Sequence, residues 1–248
     1  MDQDFLLLNI AVFGAAALQS ATGIGFGVIA GPLLLIFLND GSAIQISILL
    51  NLLIALVLTP SLWQQADRKL LTKLSIGLAV GSPVGLLIFL NLNIVFLKAF
   101  AGLAVAYTMF VILHNKPASS HAPQPATTAT EQISIGVMSG IMGASLAMPG
   151  PIPAAWMSTK GFSKETIRAT ILVMFVFAYV VALALQYGLA GIGADAMRLS
   201  AMLAPSTIVG ILVGRLLAGR LTEQTFRWLL VIILASTAII LFSTLIGL

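Results

Sequence analysis

An all-α, polytopic integral membrane protein is the fold class this sequence predicts, and three observations predict it. Hydrophobic residues make up 59% of the 248 residues and charged ones 8%, against roughly 25% charged in soluble domains. Apolar stretches of about 20 residues, the length that crosses a bilayer, fill nearly the whole chain. The same order of short and long stretches occurs twice. A soluble core of this size would lack the polar residues to cover it, so the lipid bilayer is the first partner the composition names.

The opening residues, MDQDFLLL, hold Asp2 and Asp4 but no Lys or Arg. The positive region of a cleaved signal is missing, and the first apolar segment is expected to be retained. Apolar segments fall at 5–18, 26–38, 43–60, 72–90 and 94–113. The next stretch, HNKPASSHAPQPATTATE, is rich in Ala, Pro, Ser and Thr and reads as a flexible linker over 114–131. Segments resume at 132–148, 151–158, 166–187, 197–217 and 226–247. Two short pieces followed by three long ones therefore appear on each side of the linker, predicting repeats over 1–113 and 132–248. Pro32 with Pro153, Gly85 with Gly210, and Lys98 with Arg227 fall at matching places. Weak internal symmetry of this kind is common in transporters.

The short pieces decide the topology. Segment 26–38 reaches roughly 20 Å at ~1.5 Å per residue, short of the ~30 Å hydrocarbon core. The pieces 5–38 and 132–158 are therefore each read as a re-entrant hairpin that enters and leaves by one face. Positive charge agrees. With both chain termini outside and the linker in the cytoplasm, all of the twelve basic residues except Lys98 and Arg198 face inward, as the positive-inside rule asks. Reading each hairpin as one kinked span would turn Lys160, Lys164, Arg168, Arg215, Arg220 and Arg227 outward. Three full spans per half then place the second half upside down relative to the first, an inverted repeat.

Non-helical backbone at membrane depth is tolerated only inside protein or beside a polar cavity. The expected hairpin tips, QSATGIGFG at 19–27 and GASLAMPGPIP at 143–153, would approach each other near the midplane. Each leads into a half-helix whose free N–H groups and positive dipole end favour an anion. Pro151 and Pro153 suit a first helical turn, while Gly23, Gly25 and Gly150 allow close backbone approach. Gln19, Ser20, Thr22 and Ser145 add neutral hydrogen-bonding groups. Glycines and prolines also serve helix packing and kinks, but two breaks at matching places favour a binding role. Asn51 reads as packing glue or a cavity residue, and Ser82, Pro83, Ser206 and Thr207 as candidates to line the path. GILVGR, Gly210 to Arg215, is first a small-xxx-small packing motif, with Arg215 snorkelling to the inner interface.

The remaining chemistry is sparse. No acidic residue falls in mid-span, where a proton relay would need one. The chain has no cysteine, which excludes disulfides and thiolate metal sites, and His114 and His121 lie in the linker. No catalytic residue, metal or cofactor is expected, and an intramembrane enzyme is the weakest reading. The net charge of +4 reports topology, so no nucleic acid partner is read from it. An anion channel or a structural membrane subunit stands as the alternative to a carrier, although no selectivity ring or continuous polar stripe is visible.

With both tips and the repeat in view, the chain resembles the sulfite exporter TauE/SafE family, also called the toluenesulfonate uptake permease family. The resemblance rests on ATGIGFGVIAGPLLL, on SGIMGASLAMPGPIPAAWMSTKGFSKETIRAT and on PSTIVGILVGRLLAGRL, and covers essentially the whole chain. It implies a secondary transporter in the bacterial inner membrane whose substrates are small anions: sulfite, sulfonates such as sulfoacetate, or related carboxylates. It also implies substrate contacts from Gln19, Thr22, Gly23, Gly25, Ser145 and Gly150. The second tip, ASLAMPGP, departs from the Gly-Gly-rich family pattern. A homodimer stays open.

Overall fold

Glycines, prolines and capping side chains cut the apolar sequence into ten helices among the described residues. These are α1 (Asp2–Thr22), α2 (Phe26–Leu38), α3 (Ser42–Leu62), α4 (Arg68–Asn91), α5 (Ile94–His114), α6 (Ala129–Leu146), α7 (Pro151–Thr159), α8 (Lys164–Leu189), α9 (Ala194–Leu217) and α10 (Glu223–Ile246). The computed structural model describes residues 2–23, 25–114, 127–217 and 223–246. Ile24 in the first tip, most of the predicted linker with Lys116 and His121, and Arg220 lie outside them, as does the side chain of Arg227.

Local chemistry explains the ends. The Asp67 carboxylate accepts from the N–H groups of Lys69 and Leu70 at the start of α4. Thr128 accepts from Glu131 N–H at α6, and Ser163 from Thr166 N–H at α8. Each removes a donor that a helix N-terminus would otherwise leave unpaired. In the turn from α2 to α3, Asn39 takes the left-handed conformation at φ 49° and its Oδ1 accepts from Lys98 Nζ at 2.7 Å. Lys98, one of two exceptions to the predicted charge pattern, is thus tied down by a side-chain amide.

Six of the described helices, α1, α3, α4, α5, α8 and α9, are long and apolar enough to cross a membrane. Val80, Leu87, Leu103 and Ile239 are each more than half exposed on the outside of the bundle. In water such a surface would aggregate; lipid covers it at no cost. The protein is a polytopic, all-α integral membrane protein.

Two expectations about the short pieces need correction. The first piece is not a half-length segment over 5–18: α1 has 21 residues, about 31 Å at ~1.5 Å per residue. Gln19, Ser20 and Thr22 lie inside it because their polar groups are compatible with a helix, the Thr22 hydroxyl donating back to Leu18 O at 2.7 Å. Likewise α6 starts at Ala129, within the stretch read as linker, where Thr128 and Glu131 form the T-x-x-E capping signal.

Close packing aligns these long arms with full spans. Asn9 bonds to Ser206, while Gly210 packs on the Phe13 carbonyl and Gly214 on that of Ala17, so α1 runs parallel to α9. Gly77, Gly81 and Gly85 of α4 lie against the carbonyls of Ile133, Val137 and Ile141 of α6, and Gly136 and Gly140 answer against Leu74 and Leu78. A methyl group at any of these seven glycines would collide with a backbone oxygen. Small residues let membrane helices gain van der Waals contact where lipid supplies no hydrophobic drive.

Elsewhere α3 packs on α8 and α5 on α10. Exchanging the first five helices for the last five turns the α1·α9 pairing into α6·α4, and α3·α9 into α8·α4, and leaves α3·α8 and α5·α10 in place. The second hairpin is closed at its base, where Glu131 accepts from Trp156 Nε1 at 2.8 Å and pairs with Lys160 at 2.8 Å. These two donors hold the Glu131 carboxyl below its ordinary pKa. The start of α6 and the end of α7 therefore share one face of the bundle.

Candidate functional site: the crossing of two broken helices

A helix break inside a membrane protein must account for every freed backbone group. At the first break, Gly23 N–H donates to Gln19 O at 2.7 Å and Ile29 N–H to Gly25 O at 2.8 Å. The Gln19 side chain supplies the missing link: its Oε1 accepts from Phe26 N–H at 2.9 Å, capping α2. Its Nε2 donates to Asn51 Oδ1 at 3.1 Å, and Asn51 Nδ2 donates to Ser47 O at 2.8 Å. Gln19 and Asn51 are fully buried, so this chain of amides fixes the start of α2 against α3.

The second break is pinned by α8 and by its own first arm. Ala147 turns in the left-handed region at φ 59°, and its N–H and that of Met148 return to Gly143 O and Met142 O. The carbonyls exposed by the turn are taken by side chains of α8 and of α6 itself: Ala147 O accepts from Tyr179 Oη at 3.2 Å, Ala144 O from Gln186 Nε2 at 3.3 Å, and Pro149 O from Ser139 Oγ at 2.6 Å.

The turning points do not meet head on. Gly23 packs on Arg168, near the start of α8, whereas the Ala147 carbonyl is held by Tyr179, near its middle. Those residues are 11 apart (179 − 168) on α8, roughly 16 Å at ~1.5 Å per residue. The arms α1 and α6 are each long enough to overshoot the centre, so the breaks pass side by side. What comes together at mid-depth is the pair of returning helix N-termini. A methyl at Gly27 of α2 would strike the Ala147 carbonyl, and a small cavity opens beside this contact. Gln19, Gly25, Gly27 and Val28 line it from the first half, Ala147 to Pro151 from the second, and Phe175 and Tyr179 of α8 close it. As it stands it holds about one water molecule.

Of the residues singled out from sequence, Gln19, Gly25 and Gly150 line this cavity, and Asn51 is one hydrogen bond removed. The others lie elsewhere. Ser20 Oγ donates to Ile211 O at 2.9 Å across the α1·α9 seam, and Ser145 Oγ to Ile141 O at 2.6 Å on its own helix. Thr22 turns back to Leu18, Gly23 packs on Arg168, Ser206 meets Asn9, and Thr207 bonds to Leu203 O at 3.0 Å. Sequence reasoning missed Gly27, Phe175 and Tyr179. Gly27 belongs to the GFG run and was within reach; the aromatic pair carries no signal inside an apolar span.

The two N-termini differ as donors. Pro151 and Pro153 remove two of the first N–H groups of α7, whereas α2 begins Phe26-Gly27-Val28 with its first N–H already capped by Gln19. The positive end of each helix dipole still points at the cavity, with the Gln19 amide and the Tyr179 hydroxyl beside it. No His, Cys, Asp or Glu lines the cavity.

A polytopic helical bundle in which two interrupted helices cross around a buried mid-depth cavity has the build of a solute carrier. The sequence profile of the sulfite exporter TauE/SafE family matches residues 8–241. The chain belongs to that family of membrane transporters. No match was found among curated proteins or among solved structures.

Proposed function

We propose that this protein is a secondary transporter of small organosulfur anions, sulfite or a sulfonate, or of related carboxylates, in the bacterial inner membrane. The observation that carries this reading is the convergence of the α2 and α7 N-termini on one buried cavity beside Gln19. Two helix dipoles and neutral donors favour an anion while leaving no fixed buried charge to trap it, so it can both bind and leave. The cavity is smaller than a four-atom anion, so loading requires its walls to separate. Alternating access supplies that movement, with the halves 1–113 and 132–248 acting as inverted repeats. The exchange pattern of the helix contacts supports the repeat, and the base of the second hairpin supports re-entry from one face. In this reading both termini are periplasmic and the linker is cytoplasmic.

Uptake of sulfite into proteoliposomes tests the proposal. Saturable flux is expected; flux that rises without limit would show a channel instead. Gln19→Ala leaves Phe26 N–H and Asn51 Oδ1 without their partner, a loss of about 2 kcal/mol. It should weaken transport by about tenfold or more. Wild-type flux and affinity in Gln19→Ala would remove the cavity from the transport path.

A further inference from the structure

Arg168, half-buried on the second turn of α8, holds the turning point of the first break. Gly23 packs against its Cβ and Cγ, and its Nη2 donates to Ser20 O at 2.6 Å. Its Nε is buried with no hydrogen-bond partner. Gly214 of α9 packs on Ser20 from another side, which brings its neighbour Arg215 to the same end of α1. Arg215 donates to the Ser61 hydroxyl at 3.0 Å. Among the described residues no salt bridge joins either arginine to a carboxylate, as one joins Lys160 to Glu131.

Two like charges in a partly buried place repel, and each guanidinium carries five N–H donors in a rigid fork. The carbonyl end of α1 offers only about half a negative charge, and Arg168 answers it with one nitrogen. Charge and donors remain in excess, pointing at a backbone turn that holds no acid. Oxyanions with two or three coplanar oxygens fit such forks in bidentate fashion.

The geometry points to a second anion site, formed by Arg168 and Arg215 at the turn of the first break. It would take a small oxyanion of the sulfite or sulfonate class and lies outside the cavity. Phe175 of the cavity wall is seven residues further along α8 (175 − 168), roughly 10 Å at ~1.5 Å per residue. The site rests on the transport reading for its substrate, and it gives the anion a waiting place on the face where α3 ends and α4 begins. Because the Ser20 carbonyl holds the same arginine, an arriving anion competes for the contact that pins the turn.

The full-length protein in detergent, titrated with sodium sulfite in a calorimeter at constant ionic strength, tests this, with flux measured alongside. Arg168→Gln keeps a donor for Ser20 O but removes the charge, and Arg215→Gln breaks only a bond to an exposed serine hydroxyl. Each should weaken sulfite binding by about tenfold or more, with Arg168→Lys intermediate. Wild-type sulfite affinity in both Gln variants overturns the site, and so does absence of sulfite binding to the wild type. If Arg168→Gln does not fold, Arg215→Gln decides alone. Arginine-dependent binding without saturable flux would uphold the site and refute the transport reading; normal binding in the Arg variants with impaired flux in Gln19→Ala would do the reverse.

Discussion

Glycine makes the first break and proline the second. At the first, Gly23 and Gly25 take φ of 88° and 150°, conformations other residues avoid, and the helix that follows keeps its backbone donors. At the second, Ala147 bears the left-handed turn itself, and Pro149, Pro151 and Pro153 stiffen the segment while deleting N–H groups. The partners differ too: the Gln19 side chain caps a backbone donor of the first from within its own hairpin, whereas the carbonyls of the second are held by Tyr179 and Gln186 of α8 as well as by Ser139 of its own hairpin. The difference assigns unequal roles to two otherwise matching elements. The first half presents backbone donors set in place by an amide chain, and the second presents a proline wall poor in donors.

The sharpest way to break this comparison is at the point where the halves touch. Gly27→Leu drives a side chain into the Ala147 carbonyl, and a loss on the order of 3 kcal/mol or more is expected. Thermal melting in detergent reads it; an unchanged midpoint would mean that the crossing is not close-packed. A pair of opposite substitutions comes next. Gly25→Ala should destabilise by about 1–2 kcal/mol because of its positive φ, while Ala147→Gly should be neutral or stabilise by about 1 kcal/mol. Equal signs in the two melts would erase the distinction between the breaks. The smallest effect is expected for Pro151→Ala, which restores one N–H to α7. Stability should move by less than about 1 kcal/mol and sulfite half-saturation by less than about threefold. A tenfold gain in affinity would turn the wall into a donor surface.

Helix number, membrane class and both breaks were legible from composition, segment length and the Gly and Pro runs. The lining of the cavity was legible where chemistry and backbone coincide, at Gln19, Gly25 and Gly150. It was not legible where a hydroxyl had a local alternative: Thr22, Ser145 and Thr207 each donate to a carbonyl four residues back, a choice that sequence alone does not reveal. Arm length was misjudged because Gln19 to Thr22 read as the break itself, although such residues are tolerated in the last turn of a helix. The depth of the turning points followed from that error.

The glycine contacts between α4 and α6, and between α9 and α1, carry a mechanical consequence. Where backbone lies on backbone there is no flexible side chain to absorb shear, and small displacements along the axis would drive the neighbouring Cβ atoms into carbonyls. Each long arm and its parallel span therefore behave as one doubled beam. The contact between the halves at Gly27 and Ala147 lies outside both beams, at the start of α2 and in the turn after α6.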